Sequence, residues 1–180
     1  HHILLSLRAH GWTRNLPKVN HVCTDKSDDI FNESFRFVLP GYNVRPLEMS
    51  GAIGIEQIKK LPSLIAERRK NAAIFQAVMQ DHPRILIQQE TGLSSWFGFS
   101  LLIRPGVKMT RNELLTKLNG LGFEVRPIVA GNFAKNEVIK YFNSEVSGKL
   151  TNAEHLDENG LFIGNHHYSI ADAVEQLSKL

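Results

Sequence analysis

Residues 37–54 constrain this chain more than any other stretch. Phe37-Val38-Leu39 reads as an extended approach and Pro40-Gly41 as a sharp turn. Pro46 then stands where a first helical residue tolerates a missing N–H. In the helix that follows, Ser50, Gly51 and Gly54 share one face that is nearly bare of side-chain bulk. A helical glycine costs roughly 1 kcal/mol against alanine, so two of them require a compensating contact. The pattern predicts close backbone approach to another surface. Tyr42, Asn43 and Arg45 stand at the mouth of that contact, as in a site built at an interface.

A chain of 180 residues suffices for one sizeable core, or one domain with a docking segment. With 42% hydrophobic and 22% charged residues it reads as an ordinary soluble globular protein. The formal charge of +3 is mild and its Lys and Arg residues are dispersed. The short run Glu67-Arg68-Arg69-Lys70 suits a solvated helix face better than a nucleic-acid surface, while phosphorylated small molecules remain compatible. Cys23 is the single cysteine, which excludes a disulfide within the chain and fits a reducing, cytoplasmic setting. No apolar run reaches the roughly 18 residues needed to span a bilayer. His1-His2-Ile3 carries neither an initiator Met nor a signal peptide, so the chain reads as cut from something longer.

The periodicities predict a helix end over residues 3–9, stopped near Gly11, then a long mobile loop over 15–34. A helix over 46–60 follows, and Pro62 restarts the pattern. The second helix carries Leu64, Ile65, Arg68, Ala72, Phe75 and Val78/Met79 as a stripe facing a sheet. Strands are predicted at 85–87, 96–103, 123–126 and 161–163. Thr110 with Glu113 forms a capping box opening a helix that ends at Gly120 or Gly122. Thr151 with Glu154 reads as a second box, and Ser169 opens a terminal helix. The sum is an α/β fold with its sheet packed by helices, mainly on one side. It is divided into residues 1–60, with the mobile loop and the interface helix, and a small α/β domain over 61–180.

Common catalytic signatures are absent: no Gly-x-Ser-x-Gly, phosphate loop or Gly-x-Gly-x-x-Gly occurs. His166 and His167 are adjacent, so on a strand they point to opposite faces, and no metal site is expected. Three polar clusters remain. Arg8-Ala9-His10-Gly11-Trp12-Thr13-Arg14 is either a capped turn with a Trp anchor or a site rimmed by His, Trp and Arg. Tyr42-Asn43-Val44-Arg45 is a helix-capping turn or a polar mouth. In Val125-Arg126-Pro127-Ile128-Val129-Ala130-Gly131-Asn132-Phe133, Arg126 closes a strand before a rigid turn. There it serves a surface salt bridge or bidentate anion recognition.

Gly41-Tyr42-Asn43-x-Arg45-Pro46-x-Glu48-Met49-x-Gly51-Ala52-x-Gly54-x-x-Gln57 resembles a signature of the DegT/DnrJ/EryC1/StrS family, relatives of pyridoxal-phosphate aminotransferases. The resemblance covers nearly the whole chain and concerns the later half of such enzymes. Arg8-x-His10-Gly11-Trp12-Thr13-Arg14, Arg126-Pro127-Ile128-Val129-x-Gly131-Asn132 and Gly160-Leu161-Phe162-x-Gly164-Asn165-His166 are similar to the nucleotide-sugar 3-dehydratase branch. That resemblance implies the C-terminal part of the aspartate-aminotransferase fold, in a homodimer that shares its active sites. It implies pyridoxal phosphate, cycling through pyridoxamine phosphate, with glutamate and a nucleotide sugar as substrates. The implied reaction removes the C3 hydroxyl of a GDP-linked 4-keto-6-deoxyhexose on the route to O-antigen lipopolysaccharide.

By the same resemblance, Asn43 holds the phosphate of the partner's cofactor, and His10 and Arg14 stand at the partner's active site. Arg126 lines the nucleotide-sugar pocket of its own subunit, and Trp12 and Tyr42 are weaker assignments. The base histidine, the cofactor-ring aspartate and the stacking aromatic belong upstream of residue 1 in such enzymes. The resemblance therefore implies no catalytic base within this chain, and an isolated chain that is inactive. A lysine-dependent sugar aminotransferase of the same family and a non-catalytic binding module remain as alternatives.

Overall fold

The computed structural model describes every residue except Arg45 and Pro46, with Glu48 described through its backbone alone. The helix start expected at Pro46 and the placement of Arg45 at the site mouth lie outside the described residues. In chain order the elements are α1 (His2–Leu7), β1 (Val19–Asn20), β2 (Thr24–Asp25), α2 (Ile30–Glu33), α3 (Glu48–Ile58) and α4 (Leu61–Met79). There follow β3 (Ile85–Ile87), β4 (Gly98–Ile103), α5 (Arg111–Gly120), β5 (Val125–Arg126), α6 (Thr151–Asn159), β6 (Gly160–Gly164) and α7 (Ala171–Gln176). They pack as two units: residues 1–47 with 129–157, and residues 48–128 with 158–180. This differs from the division expected at residue 60, because α3 groups with the sheet-bearing unit and residues 129–157 return to the first.

In the first unit, residues 15–34 are not the structureless loop that their lack of periodicity suggested. β1 and β2 form a short antiparallel hairpin. Its turn is held by Asn20, whose Oδ1 accepts the N–H groups of Val22 and Cys23, both at 2.9 Å. Asp29 caps α2 by accepting the Asn32 N–H at 3.1 Å. Side-chain-to-backbone bonds of this kind order a segment without any hydrophobic rhythm. Three-residue and five-residue 3-10 turns at Phe133–Lys135 and Glu137–Tyr141 belong to the same unit.

The second unit is built on a four-stranded sheet of order β3-β4-β6-β5, antiparallel throughout. Phe99 pairs with Ile163 and Leu101 with Leu161, so alternate residues of both strands point into one core. Phe99, Leu101, Leu161 and Ile163 are all buried there. α4 contributes Ala72, Phe75 and Met79, the C-terminal part of the predicted stripe, while Leu64, Ile65 and Arg68 are only half-buried. The Phe75 ring stacks on Phe99 with centroids 4.1 Å apart. α5 adds Leu114 and Leu118, and α7 adds Val174. Each such fully buried side chain is worth roughly 1.5–3 kcal/mol.

The capping box of α5 is present, with Thr110 Oγ1 accepting the Glu113 N–H at 3.2 Å and Glu113 accepting the Thr110 N–H at 2.7 Å. Those donors hold the Glu113 carboxyl below its usual range. The second expected box is not formed as read. Thr151 is itself the first residue of α6, and the Glu154 N–H bonds to Leu150 O at 2.8 Å. α3 also departs from expectation. A Cβ on Gly51 or Gly54 would meet nothing within 4 Å, and Met49, Ile53, Ile55 and Ile58 are exposed. Among the described residues, the close contact predicted for this helix is not made.

Candidate functional site

Two of the polar clusters, far apart in sequence, are zipped together in the first unit. Ala9 bridges Asn43 and Trp12 bridges Phe37, both antiparallel. The His10 N–H donates to Tyr42 O at 3.2 Å, the Tyr42 N–H to Leu7 O at 2.6 Å, and the Val38 N–H to Gly11 O at 3.0 Å. The fit depends on glycine. Gly11 has φ +82°, and a Cβ there would lie 1.7 Å from Leu39 O. The C-terminal end of α1 thus fixes the backbone from which His10, Trp12 and Arg14 project.

Those three side chains share an aromatic bed. The Trp12 ring lies between Phe35 and Phe37, with centroids at 5.8 and 5.4 Å, and meets His10 edge-on at 5.2 Å. The Arg14 guanidinium sits 4.4 Å from the Trp12 centroid and donates Nη2 to Ser34 O at 3.0 Å. A guanidinium held over an indole face is oriented while most of its donors stay open. Beside it, His10, Phe37, Leu39, Tyr42, Phe133 and Phe142 border a hollow of about 370 Å³. Asn43 has its backbone fixed by the Ala9 bridge and an exposed side chain. Among the described residues its carboxamide has no hydrogen-bond partner. The sequence-predicted residues His10, Trp12, Arg14, Tyr42 and Asn43 therefore come together.

Arg126 belongs to the second unit, at the end of β5 opposite Phe162. Its Nε and Nη2 both donate to Glu124 Oε1, at 3.1 and 2.6 Å. The salt bridge weighed from the sequence is thus present, and it holds the Glu124 carboxyl below its usual range. Both side chains are half or more exposed, so the pair itself stabilises little. Arg126 and Glu124 also border a hollow of about 350 Å³ with Phe97, Phe162, His166 and Tyr168. The rings stack in two pairs, Phe97 on Phe162 at 5.9 Å and His166 on Tyr168 at 4.8 Å.

Behind that rim lies a buried polar network that sequence reasoning missed. Asn71 of α4 donates Nδ2 to Asn165 Oδ1 at 3.1 Å, His166 O at 3.1 Å and Tyr168 O at 2.8 Å, and accepts the Ile170 N–H at 3.2 Å. Asn165 donates to Arg68 O and Trp96 O, each at 2.9 Å. The available signal was an Asn beside Ala72 on the apolar stripe of α4. Among the described residues no group of His, Cys, Asp and Glu is placed to hold a metal ion.

The model of the DegT/DnrJ/EryC1/StrS aminotransferase family matches residues 1–178. The chain belongs to this family. As a DegT/DnrJ/EryC1/StrS chain it is 60% identical over 178 residues to the GDP-4-keto-6-deoxy-D-mannose 3-dehydratase of Yersinia pseudotuberculosis, covering 98% of this chain and 45% of that protein. It is 59% identical to the enzyme of the same name from Escherichia coli O55:H7, covering 100% of this chain and 47% of that protein. Among solved structures it is similar to an E. coli GDP-4-keto-6-deoxy-D-mannose-3-dehydratase with bound hydrated PLP, with TM-score 0.72 and 60% identity over 99% of this chain and 46% of that one. The Helicobacter pylori aminotransferase PseC, at 18% identity and TM-score 0.62 over 98% of this chain and 43% of that one, shares the fold. This DegT/DnrJ/EryC1/StrS chain has the mixed α/β aminotransferase fold and spans about half the length of the curated relatives it matches. Among the described residues no helix is long and apolar enough to cross a membrane.

Proposed function

We propose that this chain is part of a pyridoxal-phosphate-dependent nucleotide-sugar 3-dehydratase, which removes the C3 hydroxyl of GDP-4-keto-6-deoxymannose with glutamate as co-substrate. The observation that carries the reading is the zipped pair of segments around Gly11 and Gly41. It gathers His10, Arg14 and Asn43, in a chain 60% identical to such an enzyme. The enzyme acts as a cytoplasmic homodimer with shared active sites, and its product feeds O-antigen lipopolysaccharide synthesis.

The residues present fit the phosphate end of the cofactor. The Asn43 carboxamide is exposed on a fixed backbone, and its N–H groups suit a phosphate oxygen. When bound, pyridoxal phosphate supplies a ring that delocalises negative charge developing on the sugar. Asn43 anchors that phosphate across the dimer. The open donors of the Arg14 guanidinium orient an anionic group of the substrate, and His10 stands beside it as a neighbour able to donate or accept a hydrogen bond. Arg126 exchanges its Glu124 partner for the nucleotide sugar, a bidentate contact that a guanidinium makes well. The base and the remaining cofactor ligands are contributed from outside residues 1–180.

The test is product analysis with the full-length protein, pyridoxal phosphate, glutamate and GDP-4-keto-6-deoxymannose. A 3-deoxy sugar nucleotide with release of ammonia and 2-oxoglutarate is expected. An amino-sugar product, or no turnover, overturns the reading.

A further inference from the structure

We propose that the buried carboxylate of Glu33 is a positioning residue for Arg14, an inference that rests on the functional reading above. Glu33 is 7% exposed, unusual for an acid in a segment that is otherwise mostly at the surface. One oxygen accepts the hydroxyl of Thr13, which is fully buried. The other accepts the Ser27 N–H at 3.1 Å and faces Arg36 Nη1 at 3.5 Å.

These partners bracket the site arm. Thr13 lies between Trp12 and Arg14, and its own N–H donates to Arg36 O at 3.2 Å. The residue after Glu33, Ser34, supplies the carbonyl that accepts Arg14 Nη2 at 3.0 Å. Phe35 supplies a second ring 5.5 Å from the same guanidinium. Residues 33–36 therefore fix Trp12, Thr13 and Arg14 in register, and the Glu33–Thr13 bond is the side-chain pin of that register. Arg36 extends the network outward to Glu137 at 2.6 Å, which ties residues 33–36 to the 3-10 turn at Glu137–Tyr141. An ionised carboxylate accepting several donors is stronger than a neutral hydrogen bond, so the pin holds against thermal motion of the exposed arm.

Glu33→Gln keeps the size but loses one acceptor and the charge facing Arg36. In the full-length enzyme it is expected to raise KM for the nucleotide sugar about tenfold, with kcat within about twofold and cofactor affinity unchanged. Thr13→Val, which removes the hydroxyl, is expected to do the same, and Thr13→Ser to restore most of the loss. Glu137→Gln, which releases only the outer end of Arg36, is expected to leave KM as it was. If Glu33→Gln does not fold, the Val and Ser variants of Thr13 decide the question. Unchanged KM in Glu33→Gln and Thr13→Val overturns the proposal, as does a parallel fall of kcat, affinity and cofactor retention. Arg14→Ala separates the two levels. If it leaves KM unchanged, the substrate-orienting role that the functional reading gives Arg14 fails, whereas a raised KM in Arg14→Ala without one in Glu33→Gln removes the positioning role alone.

Discussion

A Cβ on Gly41 would lie 2.0 Å from the backbone nitrogen of Gly11. Both sides of that contact are main chain, so neither can swing aside as a long side chain would. Gly41→Ala is expected to lower stability by about 1–3 kcal/mol, the usual cost of overpacking, and to part the strands that carry His10 and Asn43. Thermal melting of the full-length protein should show the loss, with faster cofactor release beside it. Gly54→Ala in the isolated chain is the contrast. Its Cβ meets nothing within 4 Å, so the change is expected to be neutral or to stabilise by up to about 1 kcal/mol.

Asn43→Ala removes an amide that no other described residue engages, so its effect falls on the ligand rather than on the fold. The expected result is an unchanged melting temperature without cofactor and a roughly tenfold weaker hold on pyridoxal phosphate, in line with one charge-assisted hydrogen bond. Absorbance titration of the apo-enzyme measures it. Equal affinity would return Asn43 to a turn residue.

The contrast between these residues and their surroundings explains what the sequence made legible. The Thr110 and Glu113 box, the α4 stripe through Phe75 and the strands expected at 85–87 and 96–103 follow from local spacing. The structure has them, the second strand starting only at Gly98 because Trp96 takes a φ of +50°. His10, Arg14 and Asn43 stand out by their chemistry, and the backbone zip unites the segments that carry them. Residues 15–34 were opaque because Asn20, Asp29 and Glu33 order them through individual polar bonds with no period. Asn71 was hidden for the opposite reason: it occupies a core position of a regular helix, where the pattern anticipates an apolar side chain. The empty face of α3 shows that a periodic pattern records a demand for contact and not where the contact lies.

Arg126→Lys keeps the charge of the β5 terminus but loses the planar fork that now grips Glu124. KM for the nucleotide sugar is expected to rise about tenfold while the melting temperature stays put, because an exposed ion pair adds little stability. Steady-state kinetics against varied sugar nucleotide checks this. Normal kinetics would leave Arg126 as a surface salt bridge.

His82 gives the second unit a pH dependence. The ring is buried, and its Nδ1 accepts the N–H groups of Arg84 and Ile85 at 3.3 and 3.2 Å, so the neutral form fits. Burial first, then the nearby charges of Arg84 and Arg104, lower its pKa from the usual 6.5. The unfolded chain therefore binds this proton more readily than the folded one. The contribution of His82 to stability is complete above about pH 6.5 and is lost as pH falls through the lowered folded value. Melting temperatures measured from pH 7.5 down to 5 should decline more steeply in the native protein than in His82→Gln, and parallel declines would remove His82 as the cause.

Asn71→Leu tests the network behind the Arg126 hollow. Leucine matches the branched shape but leaves His166 O, Tyr168 O and the Ile170 N–H without their shared partner. Each buried polar group left unmade costs about 1–3 kcal/mol, so a loss of at least about 3 kcal/mol is expected. Asn71→Asp is expected to be worse, because a second oxygen would face the two carbonyls in place of the amide donor. The backbone at His166 and Tyr168 forms part of the hollow's rim, so KM for the nucleotide sugar should rise along with the loss of stability. Denaturant titration paired with kinetics reads both quantities. A variant that is destabilised yet binds normally would show that the network supports the fold without shaping the hollow.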